Sequence, residues 1–285
     1  MQQSPNSPHI AATVEDIRTA VDAWHRQGLV VGLVPTMGAL HKGHLSLVSG
    51  IQKSVDKVIV SIFVNPKQFG KGEDFGAYPR DLEKDATLLA ELGVDVIYAP
   101  TPAVMYPDGF KTTISVADLS TGFEGTHRPG HFDGVATVVS KLLIQTGADK
   151  AIFGEKDFQQ LAVIRRLARD LDLRTEILVG PLVRDEYGLA LSSRNAYLSA
   201  DELAIARQFN GVLKDLVAKA TGGSELRSLE QDATQKLLDA GFSCVDYVSI
   251  INPDTLEILE AVSGPARVVA TARLGSVRLL DTMAI

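Results

Sequence analysis

Two histidines three positions apart lie in the loop that follows the first predicted strand. His41 and His44 belong to the segment PTMGALHKGH, which follows a short apolar stretch and leads into a helical pattern. At a helix start both imidazoles can face the same point as the unpaired backbone N–H groups, and this combination binds anions. Since histidine donates a proton near neutral pH, the segment predicts phosphoryl chemistry. The alternative is a pair of histidines that only cap the helix or face solvent.

Two amide side chains follow the second strand pattern, in the segment SIFVNPKQF. Asn65 and Gln68 offer neutral donors and acceptors at a strand end, where a hydroxylated or carboxylated substrate would be held. An ordinary Asn-Pro turn explains the same residues equally well.

Charged and hydroxyl groups occur in two later segments, FGEKDFQQ and LSSRN. Gly154 would let a nucleotide approach the backbone, Lys156 would supply a point charge for phosphate, and Gln160 would point back towards the pocket from the next helix. Hydroxyls and a guanidinium suited to a triphosphate follow at Ser192, Ser193 and Arg194. A solvated helix start and a plain turn are the alternative interpretations.

The glycine-rich segment 122–134 predicts an irregular, mobile loop over the site, without a helix. His127 and His131 are four positions apart there, but no glutamate follows at metal-binding spacing. A zinc site is therefore disfavoured.

The elements that would position these residues alternate between helices and apolar strands through the first two-thirds of the chain. A capping box from Thr13 to Asp16 predicts a helix that ends near Gly28. Further helices are predicted at about 44–53, 80–92, 134–147 and 157–170. The predicted strands are Leu29–Val34, Lys57–Val64, Val94–Tyr98, Lys150–Phe153 and Arg174–Val179. This alternation predicts an α/β fold, a doubly wound parallel sheet with ligands beyond the carboxyl ends of the strands.

The pattern changes after Pro181 and predicts a second, smaller α+β domain. A capping box from Ser199 to Glu202 opens one long helix to about Ala220, and a second helix ends near Gly241. Three strands are predicted at Val245–Ile251, Arg267–Ala272 and Val277–Leu280. Cys244, the only cysteine, excludes an intrachain disulfide and is interpreted as a small core residue.

The charge and hydropathy patterns exclude several classes of partner. The net charge is −7, from 28 Lys plus Arg against 35 Asp plus Glu, which disfavours nucleic acid as a partner. No apolar run reaches the roughly 18 residues that span a bilayer, so no membrane partner is expected. The first ten residues lack the basic and apolar regions of a secretory signal, and a cytoplasmic protein is expected.

Six segments in order, PTMGALHKGH, SIFVNPKQF, YPR, RPGHF, FGEKDFQQ and SSRN, resemble the pantothenate synthetase family. Members join pantoate to β-alanine and share an H-x-G-H loop with other nucleotidyltransferases. The resemblance implies a Rossmann-like domain over 1–182, a smaller C-terminal α+β lid domain over 183–285, and a homodimer. It also implies ATP as a co-substrate with Mg²⁺ on the triphosphate, although no residue is assigned to the metal, and a pantoyl adenylate intermediate.

The resemblance also implies a role for each matching residue. His44 would be the proton donor and His41 would lie beside it on the phosphates, and Lys156 and Arg194 would also contact phosphate. Gln68 and Gln160 would hold pantoate, with Asn65 and Tyr78 as neighbours. The ATP site would comprise Pro35, Thr36, Met37, Gly38, Ala39, Leu40, His41, Lys42, Gly43, His44, Gly154, Glu155, Lys156, Asp157, Val183, Leu191, Ser192, Ser193 and Arg194. Relatives often carry methionine where this chain has Leu191, an apolar exchange that should leave phosphate binding intact.

Three other functions share some of these sequence features. Another small-molecule nucleotidyltransferase would share the H-x-G-H loop. An aminoacyl-tRNA synthetase is disfavoured by the acidic charge, the short chain and the lack of a K-M-S-K-S segment. A non-catalytic nucleotide-binding protein should have lost some of the polar residues named above, and all of them are present.

Overall fold

The computed structural model describes residues 8–223 and 225–285, so most of the N-terminal segment considered for a secretory signal lies outside the described residues. The chain divides into two compact units. The first comprises residues up to Gly154 together with Gln160–Gly180, and the second comprises Glu155–Gln159 together with Pro181–Ile285. The main change of unit, at Gly180, falls two residues before the end of the predicted range 1–182. Local patterns do not reveal that Glu155–Gln159 packs with residues much later in the chain.

The first unit is built on a six-stranded sheet whose strands all pair in parallel, in the order β1-β4-β3-β2-β5-β6. Five of these strands confirm the predicted ones. The sixth, β1, pairs with β4 at the sheet edge and is only three residues long, too short to give an apolar pattern. The strands are β1 (His9–Ala11), β2 (Val31–Thr36), β3 (Lys57–Ile62), β4 (Val96–Tyr98), β5 (Lys150–Gly154) and β6 (Glu176–Gly180).

Helices cover both faces of this sheet, as the apolar strands predict. They are α1 (Val14–His25), α2 (Lys42–Ile51), α3 (Leu82–Glu91), α4 (Pro102–Met105), α5 (Glu124–His127), α6 (His131–Thr146) and α7 (Phe158–Asp170). One core cluster joins α1, α6 and α7 to the sheet, and another joins α2 and α3 to it. The predicted capping box of α1 is present, with Thr13 and Asp16 each bonding the other's backbone N–H. The α/β doubly wound class is confirmed.

The expectation of an irregular loop over 122–134 is wrong. Residues Glu124–His127 form the short helix α5, and α6 begins at His131. The glycines here allow close backbone contact: a Cβ at Gly125 would lie 1.8 Å from the Ser120 carbonyl oxygen, and one at Gly134 would lie 2.2 Å from that of Lys67. These glycines are needed because the backbone packs closely here. A sequence alone does not distinguish such glycines from those of a flexible loop.

The second unit has its own apolar core beneath a three-stranded antiparallel sheet in the order β7-β8-β9. Its elements are α8 (Ala200–Ala206), α9 (Gln208–Ala220), α10 (Leu226–Asp239), β7 (Cys244–Ile251), β8 (Arg267–Leu274) and β9 (Val277–Ala284). These confirm the predicted strands, the capping box from Ser199 to Glu202 and the α+β class of this unit.

Two expectations about the second unit are wrong. The single long helix after Ser199 is divided at Arg207, whose guanidinium bonds the Asp185 carboxylate at 3.0 Å and lies 3.8 Å from the centroid of the Tyr187 ring. Cys244 is exposed because it is the first residue of β7, where the strand has not yet reached the core. Within the described ranges, every helix is too short or too polar to cross a bilayer.

Candidate active site

The loops that follow β2 and β3 form one group at the carboxyl edge of the first unit's sheet. Strands β2 and β3 are parallel neighbours in the sheet, so their carboxyl ends lie side by side. The next strand on the other side of β2 is β5, which comes much later in the chain. This reversal of strand order opens the crevice in which doubly wound folds bind ligands.

The two histidines of the first loop form a reciprocal cap at the start of α2. His41 Nδ1 accepts a hydrogen bond from the Gly43 N–H at 3.1 Å, and His44 Nδ1 accepts one from the His41 N–H at 3.4 Å. The ring centroids are 4.1 Å apart. Because each Nδ1 is an acceptor, each neutral ring carries its proton on Nε2, an N–H that can be donated to a ligand. The histidines are therefore helix caps and candidate anion ligands at once.

This geometry changes one part of the predicted anion site. The sequence suggested that backbone N–H groups at the helix start would bind the anion directly. The N–H groups of His41 and Gly43 are instead bonded to imidazoles. These two N–H groups are therefore already used in the helix cap.

A buried carboxylate holds the preceding part of the loop. The Asp85 side chain, 2% exposed on α3, accepts hydrogen bonds from the N–H groups of Ala39 at 2.9 Å and Leu40 at 2.8 Å. Ala39 has a φ of 52°, in the left-handed region that costs a non-glycine residue energy. Burial raises the pKa of Asp85, and the two backbone bonds oppose that rise. Thr36 Oγ1 adds a bond from the Gly38 N–H at 3.2 Å.

Gln68 ends the 3₁₀ turn Pro66–Gln68 after β3, and Asn65 caps the start of that turn; both side chains are buried. Asn65 Nδ2 donates to Gln68 Oε1 at 3.1 Å, and Gln68 Nε2 donates to the Met37 sulfur at 3.2 Å. Asn65 Oδ1 caps the turn through the Lys67 N–H at 3.3 Å and accepts from the Tyr106 hydroxyl at 2.7 Å. The turn interpretation is therefore confirmed for Asn65, whose substrate role stays a prediction, while the Gln68 amide reaches the histidine-containing loop.

Tyr78 and Gln160 occupy different positions relative to this pair. Tyr78 is 5% exposed, and its ring packs edge-on against Phe69 with centroids 5.8 Å apart. Gln160 lies half-buried in the first turn of α7 and makes no direct hydrogen bond to Gln68 in the described residues. The structure thus brings Gln68, Asn65 and Met37 into contact. It places Tyr78 against Phe69, the residue that follows Gln68.

The remaining predicted ATP ligands lie in the second unit, apart from Gly154 at the end of β5. Lys156 and Asp157 form an ion pair at 3.5 Å in the 3₁₀ turn Glu155–Asp157. The Val183 carbonyl accepts from the Leu191 N–H at 3.0 Å. Ser192 caps the turn Ser193–Tyr197 through the Arg194 N–H at 3.3 Å.

Protein groups contact both carboxylate oxygens of Glu155. These oxygens accept hydrogen bonds from the Leu182 N–H at 3.3 Å and from Arg267 Nη2 at 3.2 Å. The arrangement therefore suits a residue that holds the 155–157 turn in place.

The sequence analysis did not predict that three residues of the first unit contact the loops of the candidate site. Asp85, Tyr106 and His131 all contact the loops after β2 and β3 from distant parts of the chain. Asp85 alone left a signal, because it occupies the buried stripe of α3 four residues before Leu89. The disfavoured zinc site also has a structural objection, since His131 Nε2 faces the Arg128 guanidinium at 3.1 Å.

Comparison with known proteins assigns the family. The model of the pantoate-β-alanine ligase family matches residues 9–284. The chain belongs to this family. The predicted resemblance is thereby confirmed, and the chain is an enzyme, a ligase of pantoate and β-alanine.

Pantoate-β-alanine ligases from several bacteria are close in sequence or structure to this one. The pantothenate synthetase of Chelativorans sp. (strain BNC1) is 51% identical and that of Rhodospirillum rubrum 50%, over 97% of this chain and 97% and 98% of theirs. The crystal structure of pantothenate synthetase from Thermus thermophilus has a TM-score of 0.90 and 41% identity, covering 96% of this chain and 98% of that one. A ligase structure from Francisella tularensis, complexed with β-γ ATP and β-alanine, has a TM-score of 0.83 and 34% identity, covering 97% of each.

Proposed function

We propose that this ligase makes a pantoyl adenylate from ATP and pantoate and then transfers the pantoyl group to β-alanine. The observation that supports a shared site for pantoate and ATP is the contact between Gln68 and Met37, because Met37 belongs to the loop that ends in the two histidines. An amide suited to pantoate and donors suited to phosphate thus share one group of loops. The relative from Francisella tularensis, complexed with β-γ ATP and β-alanine, supports ATP as the co-substrate.

The first half-reaction activates the pantoate carboxylate, a poor acyl donor because its leaving group would be oxide. A carboxylate oxygen attacks the α-phosphorus of ATP, and the bond from that phosphorus to the oxygen bridging it to the β-phosphate breaks. Pyrophosphate leaves with the electron pair. The Nε2 donors of His41 and His44 would meet the negative charge that grows on the phosphate oxygens, and a protonated His44 would supply a proton to the departing group.

The second half-reaction forms the amide. The β-alanine nitrogen attacks the acyl carbon, the carbon–oxygen bond to the phosphate breaks, and AMP leaves with the electron pair while the nitrogen loses a proton. No protein side chain needs to form a covalent bond. Gln68 and Gln160 would align the pantoyl group, and alignment of two bound reactants supplies much of the rate.

Within the second unit, Lys156, Ser192, Ser193 and Arg194 are proposed phosphate ligands. Lysine supplies a point charge and arginine a forked donor, the two side chains that proteins use most for phosphate. The cap at Ser192 supports the proposal because it fixes the Arg194 backbone. Val183 and Leu191, joined by a backbone bond, are also proposed nucleotide ligands of this unit, together with Asp157. In the first unit the proposed nucleotide ligands are Gly154 and the segment from Pro35 to His44.

Three further proposals are independent of this mechanism. Mg²⁺ would accompany ATP, bound mainly by phosphate oxygens and water as is common for this ion, and we assign it no protein ligand. The homodimer implied by the family resemblance is testable by light scattering of the purified chain. A cytoplasmic location is supported by the use of ATP.

Isotope exchange tests the two-step order. With pantoate present and β-alanine absent, labelled pyrophosphate should enter ATP, because the first half-reaction is reversible on the enzyme. Cys244→Ser is a suitable control variant, since this exposed side chain lies far along the chain from every proposed ligand and should leave exchange unchanged. If exchange requires β-alanine as well, the adenylate does not form as a separate step.

Substitution of the two glutamines tests the substrate assignment. Gln68→Ala and Gln160→Ala should each weaken pantoate binding by about 1–3 kcal/mol, the cost of leaving a buried polar partner unpaired. ATP binding should change far less, because phosphates prefer cationic partners. Calorimetric titration with each substrate measures both. ATP affinity that falls while pantoate affinity stays constant would reverse the assignment.

A further inference from the structure

A series of polar side chains contacts the backbone of the turn that contains Gln68. His131 Nδ1 lies 2.8 Å from the Gln68 carbonyl oxygen, and His131 Nε2 lies 3.1 Å from Arg128 Nη1. Arg128 in turn pairs with both carboxylate oxygens of Glu73, at 2.8 and 2.7 Å. This series of contacts leads from the protein surface to the backbone of Gln68, one of the proposed pantoate ligands.

These partners leave His131 only one protonation state. A carbonyl oxygen only accepts, so Nδ1 carries the proton, and a guanidinium only donates, so Nε2 does not. The ring is therefore neutral. Burial first, and the Arg128 charge second, lower the pKa of His131 to about 4, although the nearby carboxylates of Glu124 and Glu73 oppose the shift.

The first helical turn of α6 also contacts residues 65–68 directly. Asn65 Nδ2 donates to the Gly134 carbonyl at 3.0 Å, and Gly134 approaches Lys67 so closely that a Cβ would lie 2.2 Å from the Lys67 carbonyl oxygen. Backbone and side-chain contacts from one helix start therefore limit the movement of residues 65–68. A displacement of about 1 Å at a substrate ligand can cost on the order of 100-fold in rate.

We propose that His131 is a positioning residue for pantoate: its Nδ1–H orients the Gln68 carbonyl and thereby aims the Gln68 amide. The inference rests on the proposed role of Gln68 as a pantoate ligand. His131 itself need not touch any substrate. A merely structural histidine would instead contribute to stability without favouring one substrate over another.

Two isosteric variants separate these roles. In His131→Asn the amide nitrogen can replace Nδ1 and keep the bond to Gln68, while the acceptor for Arg128 is lost. In His131→Gln the amide oxygen can replace Nε2 and keep the bond to Arg128, while the 2.8 Å Nδ1–H bond to the Gln68 carbonyl is lost and only the 3.4 Å bond from Arg128 Nη2 remains. Tyr98→Phe is a matched control, because it removes a buried hydrogen bond of 3.0 Å to Gln145 elsewhere in the same unit.

Steady-state kinetics with pantoate and with ATP provide the readout. For His131→Gln and His131→Ala we expect kcat/KM for pantoate to fall by about 10-fold to 100-fold, with the KM for ATP within about twofold. His131→Asn should retain pantoate use to within about threefold. Tyr98→Phe should lower the melting temperature without moving either KM. Equal losses for both substrates, or Asn no better than Gln, would overturn the proposal.

A double variant separates failure of this inference from failure of the proposed function. If Gln68→Ala leaves pantoate use unchanged, the role of Gln68 is wrong and the proposal loses its basis. If Gln68→Ala impairs pantoate use, His131→Gln added to it should cause no further loss, because the two residues act on the same contact. Fully multiplicative losses would show that His131 acts by another route. Should His131→Ala fail to fold, the Asn and Gln variants still decide the question.

Discussion

At the scale of single residues, His41 and His44 each cap a helix start with Nδ1, and we propose that each contacts substrate through Nε2. The three-residue spacing of His41 and His44 lets each Nδ1 accept a backbone N–H at the start of α2. Because Nδ1 accepts a hydrogen bond in the cap, the proton of each neutral ring is on Nε2. Structural and functional interpretations of the motif are therefore compatible, although they looked like alternatives in the sequence.

The role of His44 in adenylation leads to a kinetic prediction. His44→Ala should slow pantoyl adenylate formation by on the order of 10²–10³, or roughly 2.7–4 kcal/mol, because the donor acts on charge that develops in the transition state. ATP affinity should fall much less. Single-turnover measurement of adenylate formation is the test, with Cys244→Ser expected to match the unmodified enzyme. Near-normal adenylation by His44→Ala would reduce the motif to a structural cap.

Acid stability should reflect the neutral state of His131. An unfolded histidine has a pKa near 6.5, whereas burial lowers that of folded His131 to about 4. Between these values the unfolded chain binds the extra proton, so the free energy of unfolding falls as pH falls, by up to about 3 kcal/mol. Urea unfolding at pH 7, 6 and 5 measures the slope. His131→Asn should have a shallower slope, and identical slopes would contradict the assignment.

At the scale of elements, the loop after β2 depends on a helix that is distant in sequence. Asp85 of α3 binds two consecutive backbone N–H groups and holds Ala39 at a φ of 52°. The strained backbone persists because its donors are paired with a buried carboxylate. The conformation of the histidine loop is thus determined jointly by two segments 45 and 46 residues apart.

Replacing this carboxylate by its amide should loosen the loop. In Asp85→Asn one position becomes an NH₂ group that faces a backbone N–H, so one donor loses its acceptor, at a cost of about 1–3 kcal/mol of unfolding free energy. The KM for ATP should rise as the loop relaxes. Urea unfolding and steady-state kinetics measure the two effects. Glu83→Gln, on the exposed side of α3, is the control. Equal effects of both substitutions would show that the Asp85 carboxylate does not hold the loop.

At the scale of the whole molecule, each unit has its own apolar core and its own buried polar contacts. In the second unit Arg184 pairs with both oxygens of Asp281 at 2.7 Å, and the Asp281 side chain is only 1% exposed. This pair ties the start of the 183–194 segment, which carries proposed ATP ligands, to strand β9. Removing one member of a buried pair leaves the other charge unpaired.

Asp281→Ala should therefore destabilise the second unit by about 3–5 kcal/mol. The only tryptophan, Trp24, packs against the core of the first unit, so its fluorescence reports that unit. Circular dichroism reports helices of both units. If the units unfold separately, the variant should show an earlier transition by circular dichroism and an unchanged one by fluorescence. Equal shifts by both methods would show that the units unfold together.

The sequence by itself determined whatever depends on neighbours within a few positions. Apolar runs located five strands of the first sheet, capping boxes located the starts of α1 and α8, and the motif spacing placed His41 and His44 at a helix start. The ordered motifs also identified the family. These features are local because strand and helix periodicity and caps act over one or two turns.

Only the tertiary structure decided how distant segments use their polar groups and glycines. Gly125 and Gly134 looked like loop residues, yet they permit backbone contacts with Ser120 and Lys67. Asp85 and His131 gained their roles from loops that only the fold brings near them. The break at Arg207 and the exposure of Cys244 likewise depend on what lies opposite each residue. A side chain's role follows from its partner, and pairing across long stretches of chain leaves no periodic signal in one sequence.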